Sequence, residues 1–192
     1  SRGLGDVYKR QVEDMARLIA SELVVGAGGT VSGNGGTIVG ALTLDGGVIS
    51  PGASPGRLTV EGDVQVNTGV LAIEIAGTAE GQFDVLDVTG ELDVSEGLTI
   101  EVEFVDGFTP EAGTHFEVLT VDGVNTDLQA LAASGLVTLM VNGSVDLGLN
   151  VGQGQLALTA VPLPLPVVLL GSALAWVVVV RRRADARDGR IG

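Results

Sequence analysis

Leu98-Thr99-Ile100-Glu101-Val102-Glu103-Phe104 is the stretch that decides the fold class of this chain. Its four apolar residues occupy alternate positions and therefore share one face, while Glu101 and Glu103 fall on the opposite face. A period of two residues is typical of a half-buried β-strand. The segment Leu71–Ile75 repeats the same alternation, so the pattern predicts strands with one dry side and one wet side.

Short runs of this kind follow one another along the chain and are separated by Gly-Gly, Asp-Gly, Asn-Gly and Pro-Gly pairs, which are turn signals. One interruption, Asp127 to Ala133, is predicted to be a short helix that Asn125 or Thr126 can cap. The predicted strands are Thr37–Leu44, Gly47–Ser50, Arg57–Val60, Asp63–Val66, Val70–Ile75, Phe83–Val88, Glu91–Val94, Leu98–Val105, His115–Val121, Leu136–Val141, Val145–Val151 and Gln155–Ala160.

Evenly spaced short strands suit either a β-sandwich or a stacked solenoid. Two features favour the solenoid. The glycine-rich segment 26–37 has the low complexity of tight turns, and aromatic residues make up only 3% of the chain, as expected for an interior of stacked Val, Ile and Leu. The predicted fold is therefore an all-β solenoid, with a β-sandwich as the alternative.

A resemblance adds detail to this prediction. The segment Ile49–Val60, with its two Ser-Pro-Gly turns at 50–52 and 54–56, resembles the last turns of large bacterial adhesins and autotransporter passengers. The similarity continues through Phe83–Gly90 and Gly107–Thr114 and spans about residues 22–121. It implies a right-handed parallel β-helix and no particular chemistry.

The composition limits the partners of this body. The chain has 30 glycines, no cysteine and a net charge of −14, so a disulfide scaffold and a thiolate metal site are excluded. Between Leu18 and Val180 the only basic residue is Arg57, against nineteen Asp and Glu. Such a surface repels nucleic acid and anionic lipid, and it favours solubility, weak cation binding or contact with a polysaccharide matrix.

Few residues are candidates for chemistry. His115 is the sole histidine and lies in a predicted strand, without a nucleophile-elbow motif or a cysteine elsewhere in the chain. Three carboxylate pairs have i, i+2 spacing, which places each pair on one strand face, and we interpret them as solvated surface. These pairs are Glu61 with Asp63, Glu91 with Asp93, and Glu101 with Glu103.

Two further motifs are weak. Asp84 and Asp87 could contribute to a calcium site, but the sequence lacks both an EF-hand loop and a calcium-binding glycine–aspartate repeat. The segment Gly33–Gly36 lacks the lysine of a phosphate loop and is interpreted as a turn. We therefore predict no catalytic residue, no cofactor and no metal site, and the chain is interpreted as a non-enzyme.

The C-terminal tail has three parts: Val161-Pro162-Leu163-Pro164, an uncharged apolar run, and Arg181-Arg182-Arg183. The apolar run 167–180 is predicted to be a single transmembrane helix. It is about 21 Å long at ~1.5 Å per residue, and Leu163 and Leu165 extend its apolar length. The arginines should remain cytoplasmic, which places the body on the other side of the membrane.

This order of motif, helix and basic cluster resembles the PEP-CTERM class of sorting signals in its VPLPA variant, over residues 161–183. The resemblance implies recognition by an exosortase, a membrane-embedded transpeptidase of Gram-negative bacteria, and cleavage near the proline motif. The inner membrane, through residues 167–180, and an exosortase-like enzyme are therefore the expected partners. The alternative is a plain single-span anchor with a proline-rich approach.

The N-terminal end is interpreted separately. Residues 1–11 resemble translated sequencing-adapter sequence, and the true start of the protein is expected to lie upstream. The predicted organisation is an artefact at 1–11, a linker or truncated first turn at 12–21, the β-body at 22–160, the sorting signal at 161–183 and a cytoplasmic tail at 184–192.

Two functions follow from these features. The first is an exported, non-enzymatic protein of the cell surface or of the extracellular polysaccharide matrix, with a possible adhesive role, which passes through the inner membrane before processing. The second is the stalk of an exported polysaccharide-acting enzyme whose catalytic part lies elsewhere. The first is favoured because such enzymes need basic residues near an acidic sugar and the body has only Arg57.

Overall fold

The computed structural model describes residues 9–12, 16–52, 55–143, 145–152 and 154–161. Strands account for 64% of these residues, so the prediction of an all-β body is confirmed. A short helix, α1, spans Leu128–Ala133. The strands are β1 Lys9–Val12, β2 Arg17–Gly26, β3 Thr30–Gly33, β4 Gly36–Ser50, β5 Arg57–Glu61, β6 Val64–Ile75, β7 Val85–Val88, β8 Leu92–Phe104, β9 His115–Val121, β10 Val137–Asn142, β11 Asp146–Gly152 and β12 Gln155–Val161.

The twelve strands form one sheet, with the path β10-β8-β6-β4-β5-β7-β9-β12-β11 and with β1, β2 and β3 attached to its side. The two ends of the path, β10 and β11, contact each other, so the sheet is nearly closed. All strand pairs in the described residues are parallel except β9 with β12 and β12 with β11. The two facing antiparallel sheets of a β-sandwich are therefore not what these residues form.

Parallel pairing brings each segment beside one that lies about 20 to 40 residues later, and three ladders result. In the first ladder, Arg17 faces Thr37, Thr37 faces Thr59, Thr59 faces Asp87, and Asp87 faces Thr120. The second ladder passes through Leu23, Leu42, Val64 and Leu92. The third passes through Lys9, Thr30, Val48, Val70, Thr99 and Thr138.

Parallel register stacks aliphatic side chains of equivalent position on one another. In the third ladder Val31, Ile49, Leu71, Ile100 and Leu139 are successive partners, and none is more than 8% exposed. Each such side chain contributes roughly 1.5–3 kcal/mol by leaving water. The alternation predicted for 71–75 and 98–104 is thus confirmed, since the apolar face of each strand points to the core.

Several predicted boundaries were wrong in a consistent way. Strands β4, β6 and β8 are each continuous where two strands with a turn between them were predicted. Irregularities of register replace the expected breaks, at Asp45 to Gly47 and at Val66 to Thr68. Pairing with neighbouring strands continues on both sides of these irregularities, which a local turn signal does not reveal.

The predicted helical interruption is confirmed, but its cap is Asp127 rather than Asn125 or Thr126. The Asp127 carboxylate accepts a hydrogen bond from the Ala130 N–H at 2.9 Å. Thr126 is engaged elsewhere, because its hydroxyl accepts the Leu92 N–H at 2.8 Å. The helix therefore begins one residue later than the capping prediction required.

Separate predictions from the sequence concern the N-terminal residues 1–21 and a transmembrane helix near the C-terminus. Within the predicted artefact and linker, Lys9–Val12 pairs with β3 and Arg17–Gly26 pairs with β4, and the origin of residues 1–11 stays a prediction. Among the described residues, no helix is long and apolar enough to cross a membrane. The helix predicted at 167–180 lies outside the described residues.

Four glycines stack at the turn between the first and second ladders. Gly90 donates its N–H to the Gly62 carbonyl at 3.1 Å, and Gly123 donates to the Gly90 carbonyl at 3.0 Å. A Cβ atom on Gly62, Gly90 or Gly123 would lie within 2.5 Å of the carbonyl oxygen of the preceding glycine in the stack, which begins at Gly40. The sequence places Gly40 in a predicted strand and marks glycine pairs elsewhere as turn signals. It does not reveal that the absent Cβ atoms let the backbones of successive segments approach closely.

All four phenylalanines of the chain gather in one cluster. The rings of Phe83 and Phe116 meet edge to face at 5.6 Å, Phe108 meets Phe116 at 6.3 Å, and Phe104 meets Phe108 at 6.3 Å. Phe116 is fully buried. The cluster fills the space next to the irregular segment 105–114, where aliphatic stacking is interrupted.

The two faces of β8 give a direct test. Ile100→Asp should lower the free energy of unfolding by several kcal/mol, because it places an unpaired charge among buried aliphatic neighbours. The control Glu101→Gln, on the opposite face, should change stability by less than ~0.5 kcal/mol. Urea denaturation of the purified proteins measures both, and equal losses would show that the faces are assigned wrongly.

The glycine stack gives a second test. Gly90→Ala should cost about 1–3 kcal/mol, since its Cβ would lie 2.5 Å from the Gly62 carbonyl oxygen and the backbones would have to separate. Gly26→Ala is the matched control, because nothing lies within 4 Å of a Cβ there, and it should change stability by less than ~0.5 kcal/mol. Thermal melting of both variants checks this, and similar melting temperatures would contradict the packing role of the stack.

Candidate functional site

The outward strand faces carry the carboxylates. Of the predicted pairs, Asp63, Glu91, Asp93 and Glu103 are exposed, and Glu61 and Glu101 are half-buried, which agrees with a solvated surface. The pairs connect neighbouring segments: Asp63 accepts the Glu91 N–H at 2.9 Å, and Glu101 accepts from Asn142 at 3.4 Å.

Two exposed ion pairs cross the same surface. Arg17 donates to both carboxylate oxygens of Glu61, at 3.2 and 2.7 Å. Arg57 pairs with Asp87, which also accepts a hydrogen bond from the Thr120 hydroxyl at 2.5 Å. Because exposed ion pairs are screened by water, each contributes about 0–1 kcal/mol. Arg17 and Arg57 are therefore both paired with acidic neighbours and do not form a cationic site.

Among the described residues, Asp84 is the only carboxylate that is fully buried. Its two oxygens accept the Gly56 N–H at 2.6 Å and the Glu74 N–H at 2.9 Å. Asp87, by contrast, faces outward toward Arg57. The structure does not make Asp84 and Asp87 a shared calcium site, and no group of three or more acidic or histidine ligands occurs among the described residues.

Glycines create the space for this carboxylate. A Cβ on Gly52 would lie 2.1 Å from the Asp84 Oδ1 atom, and Gly56 supplies the N–H that the same oxygen accepts. The Ser-Pro-Gly segment at 50–56 is thus tied to the start of β7 by a buried carboxylate. From the sequence alone, the two glycines are interpreted as turn residues and Asp84 as a weak calcium-ligand candidate. The contact is missed because Gly56 and Asp84 lie 28 residues apart along the chain.

Burial raises the pKa of Asp84 from 3.8 to about 6. Two backbone hydrogen bonds, from Glu74 and Gly56, act in the opposite direction, and the Glu74 carboxylate raises the pKa further by charge repulsion. Desolvation has the largest effect on the pKa of Asp84 because the side chain is fully buried. The ionised form therefore persists at neutral pH at a cost to the folded state.

The pKa of Asp84 predicts a pH dependence of stability. Because the folded-state pKa lies above the unfolded value, its stabilising contribution is complete below about pH 4 and is lost as the pH rises through about 6. Over pH 4 to 7 the parent should lose about 2 kcal/mol relative to Asp84→Asn, whose amide does not titrate. Urea denaturation across this range measures the difference, with the exposed Asp93→Asn as control. Parallel curves for the parent and Asp84→Asn would contradict the assignment.

His115 is exposed at the start of β9. Its Nδ1 atom lies 3.1 Å from the Thr159 hydroxyl, which also accepts a hydrogen bond from the Asn150 side chain at 2.5 Å. His115 and Asn150 line a surface depression together with Gln155. The arrangement is a polar side-chain network on the surface, and it agrees with the interpretation of His115 as an ordinary strand residue.

A larger open groove adjoins this network, and we name it the terminal groove. It is lined by residues 120–129 together with Gly152, Gly154 and Gln155. Asp122, Asn125 and Gln129 line it with carboxylate and amide groups, whereas the Thr126 hydroxyl is hydrogen-bonded to the Leu92 backbone. Asn125 is oriented by a hydrogen bond to Glu91, and the lining contains no basic residue. Such a groove offers hydrogen bonds to a neutral, hydroxyl-rich ligand.

Of the predicted sorting motif, Val161 is described, and it is the last residue of β12, opposite Asp146. Pro162, Leu163 and Pro164 lie outside the described residues, as do Arg181, Arg182 and Arg183. The predicted motif therefore begins at Val161, within β12.

No protein family, curated protein or solved structure matches this chain in comparisons of sequence and structure.

Proposed function

We propose that the body of this protein is a right-handed parallel β-helix. Its successive turns add strand segments to the three ladders, and a continuous strand such as β4 takes part in more than one ladder. The support is the register: Val31, Ile49, Leu71, Ile100 and Leu139 are successive partners although 18 to 39 residues separate them along the chain. A coil that adds one turn at a time produces such spacing. Longer turns late in the body accommodate the phenylalanine cluster and α1.

We further propose that the protein is an exported, non-enzymatic component of the cell surface or extracellular matrix. The observation that carries this is the division of the body into an aliphatic interior and an acidic exterior, whose only basic residue between Leu18 and Val161 is Arg57. A stiff, strongly acidic rod stays soluble and avoids nucleic acid and anionic lipid. Such a rod is suited to the role of a spacer or scaffold, and it is poorly suited to binding an anionic substrate.

Neutral extracellular polysaccharide is the proposed partner of the body. The terminal groove presents amide and carboxylate groups, whose hydrogen bonds match sugar hydroxyls. An acidic polysaccharide would be repelled by Asp122 and Asp127. Adhesion would then depend on hydrogen bonding and not on charge.

The proposed route to the surface is the C-terminal signal at 161–183. The apolar run 167–180 would hold the precursor in the inner membrane with Arg181, Arg182 and Arg183 in the cytoplasm. An exosortase-like transpeptidase would then cut near Val161, Pro162, Leu163 and Pro164. Prolines suit such a site because they hold the chain extended and deny it helical hydrogen bonds.

The processing step provides the test of this function. The full chain, placed behind an export signal, is expressed in an exosortase-bearing host and in the same host without the enzyme. The double variant Pro162→Ala, Pro164→Ala should insert into the membrane as the parent does, because insertion depends on apolar length and flanking charge. It should not be processed. Mass spectrometry of the body and protease accessibility at the cell surface measure the two effects.

A matched control changes prolines outside the motif. Pro51→Ala lies in the turn after β4, so it should leave processing intact even if it lowers stability. Equal processing of the parent and of the double proline variant would reduce the tail to a plain anchor. The same conclusion would follow if Arg181, Arg182 and Arg183 remained on the mature protein.

A further inference from the structure

The strand that precedes the sorting motif is an interior strand of the sheet. β12 pairs with β11 on one edge and with β9 on the other, both antiparallel. Leu158 and Ala160 point into the core and are 0% and 1% exposed. The polypeptide thus leaves the folded body from the middle of a paired sheet and not from a free edge.

Both backbone polar groups of Ala160, next to the exit, are hydrogen-bonded. Ala160 donates its N–H to the Thr114 carbonyl at 2.8 Å, and its own carbonyl accepts the Gly113 N–H at 2.7 Å. Val161 is half-buried opposite Asp146. A cleaving enzyme binds an extended substrate through these same backbone groups, so it cannot engage the chain up to Ala160 while β12 is docked.

Removal of β12 would also be costly to the body. Leu158 and Ala160 belong to the core, and each buried leucine contributes through the apolar area that it keeps from water. β9 would lose a paired edge and β11 its only partner among the described strands. A cut within β12 would therefore release a destabilised protein.

We propose that the docked β12 shields the backbone through the Ala160–Val161 bond, so that processing cuts on the C-terminal side of Val161 and the mature protein keeps β12 complete. This inference rests on the proposed function. It confines the cut to residues 161–166, a segment that spans at most about 20 Å at ~3.3–3.6 Å per residue. The end of the body is therefore the surface that the membrane enzyme meets when it reaches the motif.

The chain has no cysteine, so a disulfide introduced into the hairpin of β11 and β12 reports on this unambiguously. D146C with V161C joins two residues that face each other at the exit. G152C with Q155C joins a facing pair at the far end of the same hairpin and is the matched control. D146C, V161C should be processed at the rate of the single variant V161C, a second control that carries the same motif change but cannot form the disulfide. G152C, Q155C should be processed at the rate of the parent in the exosortase-bearing host.

The mass of the processed D146C, V161C variant then locates the cut. If the cut lies beyond Val161, the product is a single chain before and after reduction. Release of a peptide ending at position 161 or beyond upon reduction would place the cut inside the hairpin and overturn the inference. Failure of the oxidised variant to be processed, with the control processed normally, would show that β12 must undock, which also overturns it.

A second measurement is independent of the exosortase. Proteinase K treatment of the purified full chain in detergent should trim the tail and leave a body that ends at or beyond Val161. A body that ends before Val161 would overturn the inference. If the parent is not processed in the host, the proposed function fails, and the proteinase K product alone decides whether β12 shields the exit.

Discussion

Parallel register is the constraint on which the rest of this structure depends. It places chemically equivalent positions of successive segments directly over one another, so aliphatic residues stack on aliphatic residues and glycine stacks on glycine. The stack of Val31, Ile49, Leu71, Ile100 and Leu139 shows the favourable side of this constraint. The glycine stack shows its strictness, since one added Cβ at Gly90 would meet the Gly62 carbonyl of the segment below.

The same register concentrates like charges on the exterior. Glu74 of β6 faces Glu103 of β8, so two carboxylates are direct neighbours. Repulsion among such neighbours is weakened by water and by hydrogen-bonding partners, such as Asn142 for Glu101 and Asn67 for Asp45. Among the described residues, every carboxylate except Asp84 remains in contact with solvent, which limits the repulsion within this acidic body.

Asp84 and β12 mark the two places where irregular segments are fastened to this regular body. Asp84 fixes the Ser-Pro-Gly segment at 50–56 from within the core, and the buried charge makes that fastening depend on pH. β12 closes the far end with antiparallel pairing, which ends the parallel addition of segments and leads the chain out at Val161. Both fastenings join segments that are distant in sequence.

The sequence by itself determined the strand faces, the short helix near 128–133 and the acidic exterior, because these depend on a period of two residues and on composition. Residues such as Ile100 and Glu101 are assigned correctly by alternation alone. Only the tertiary structure decided which segments pair, that Gly40, Gly62, Gly90 and Gly123 stack, and that Asp84 lies inside beside Gly52 and Gly56. Local patterns carry no information about contacts between residues 22 to 33 positions apart, and those contacts exist only after parallel pairing has set the register.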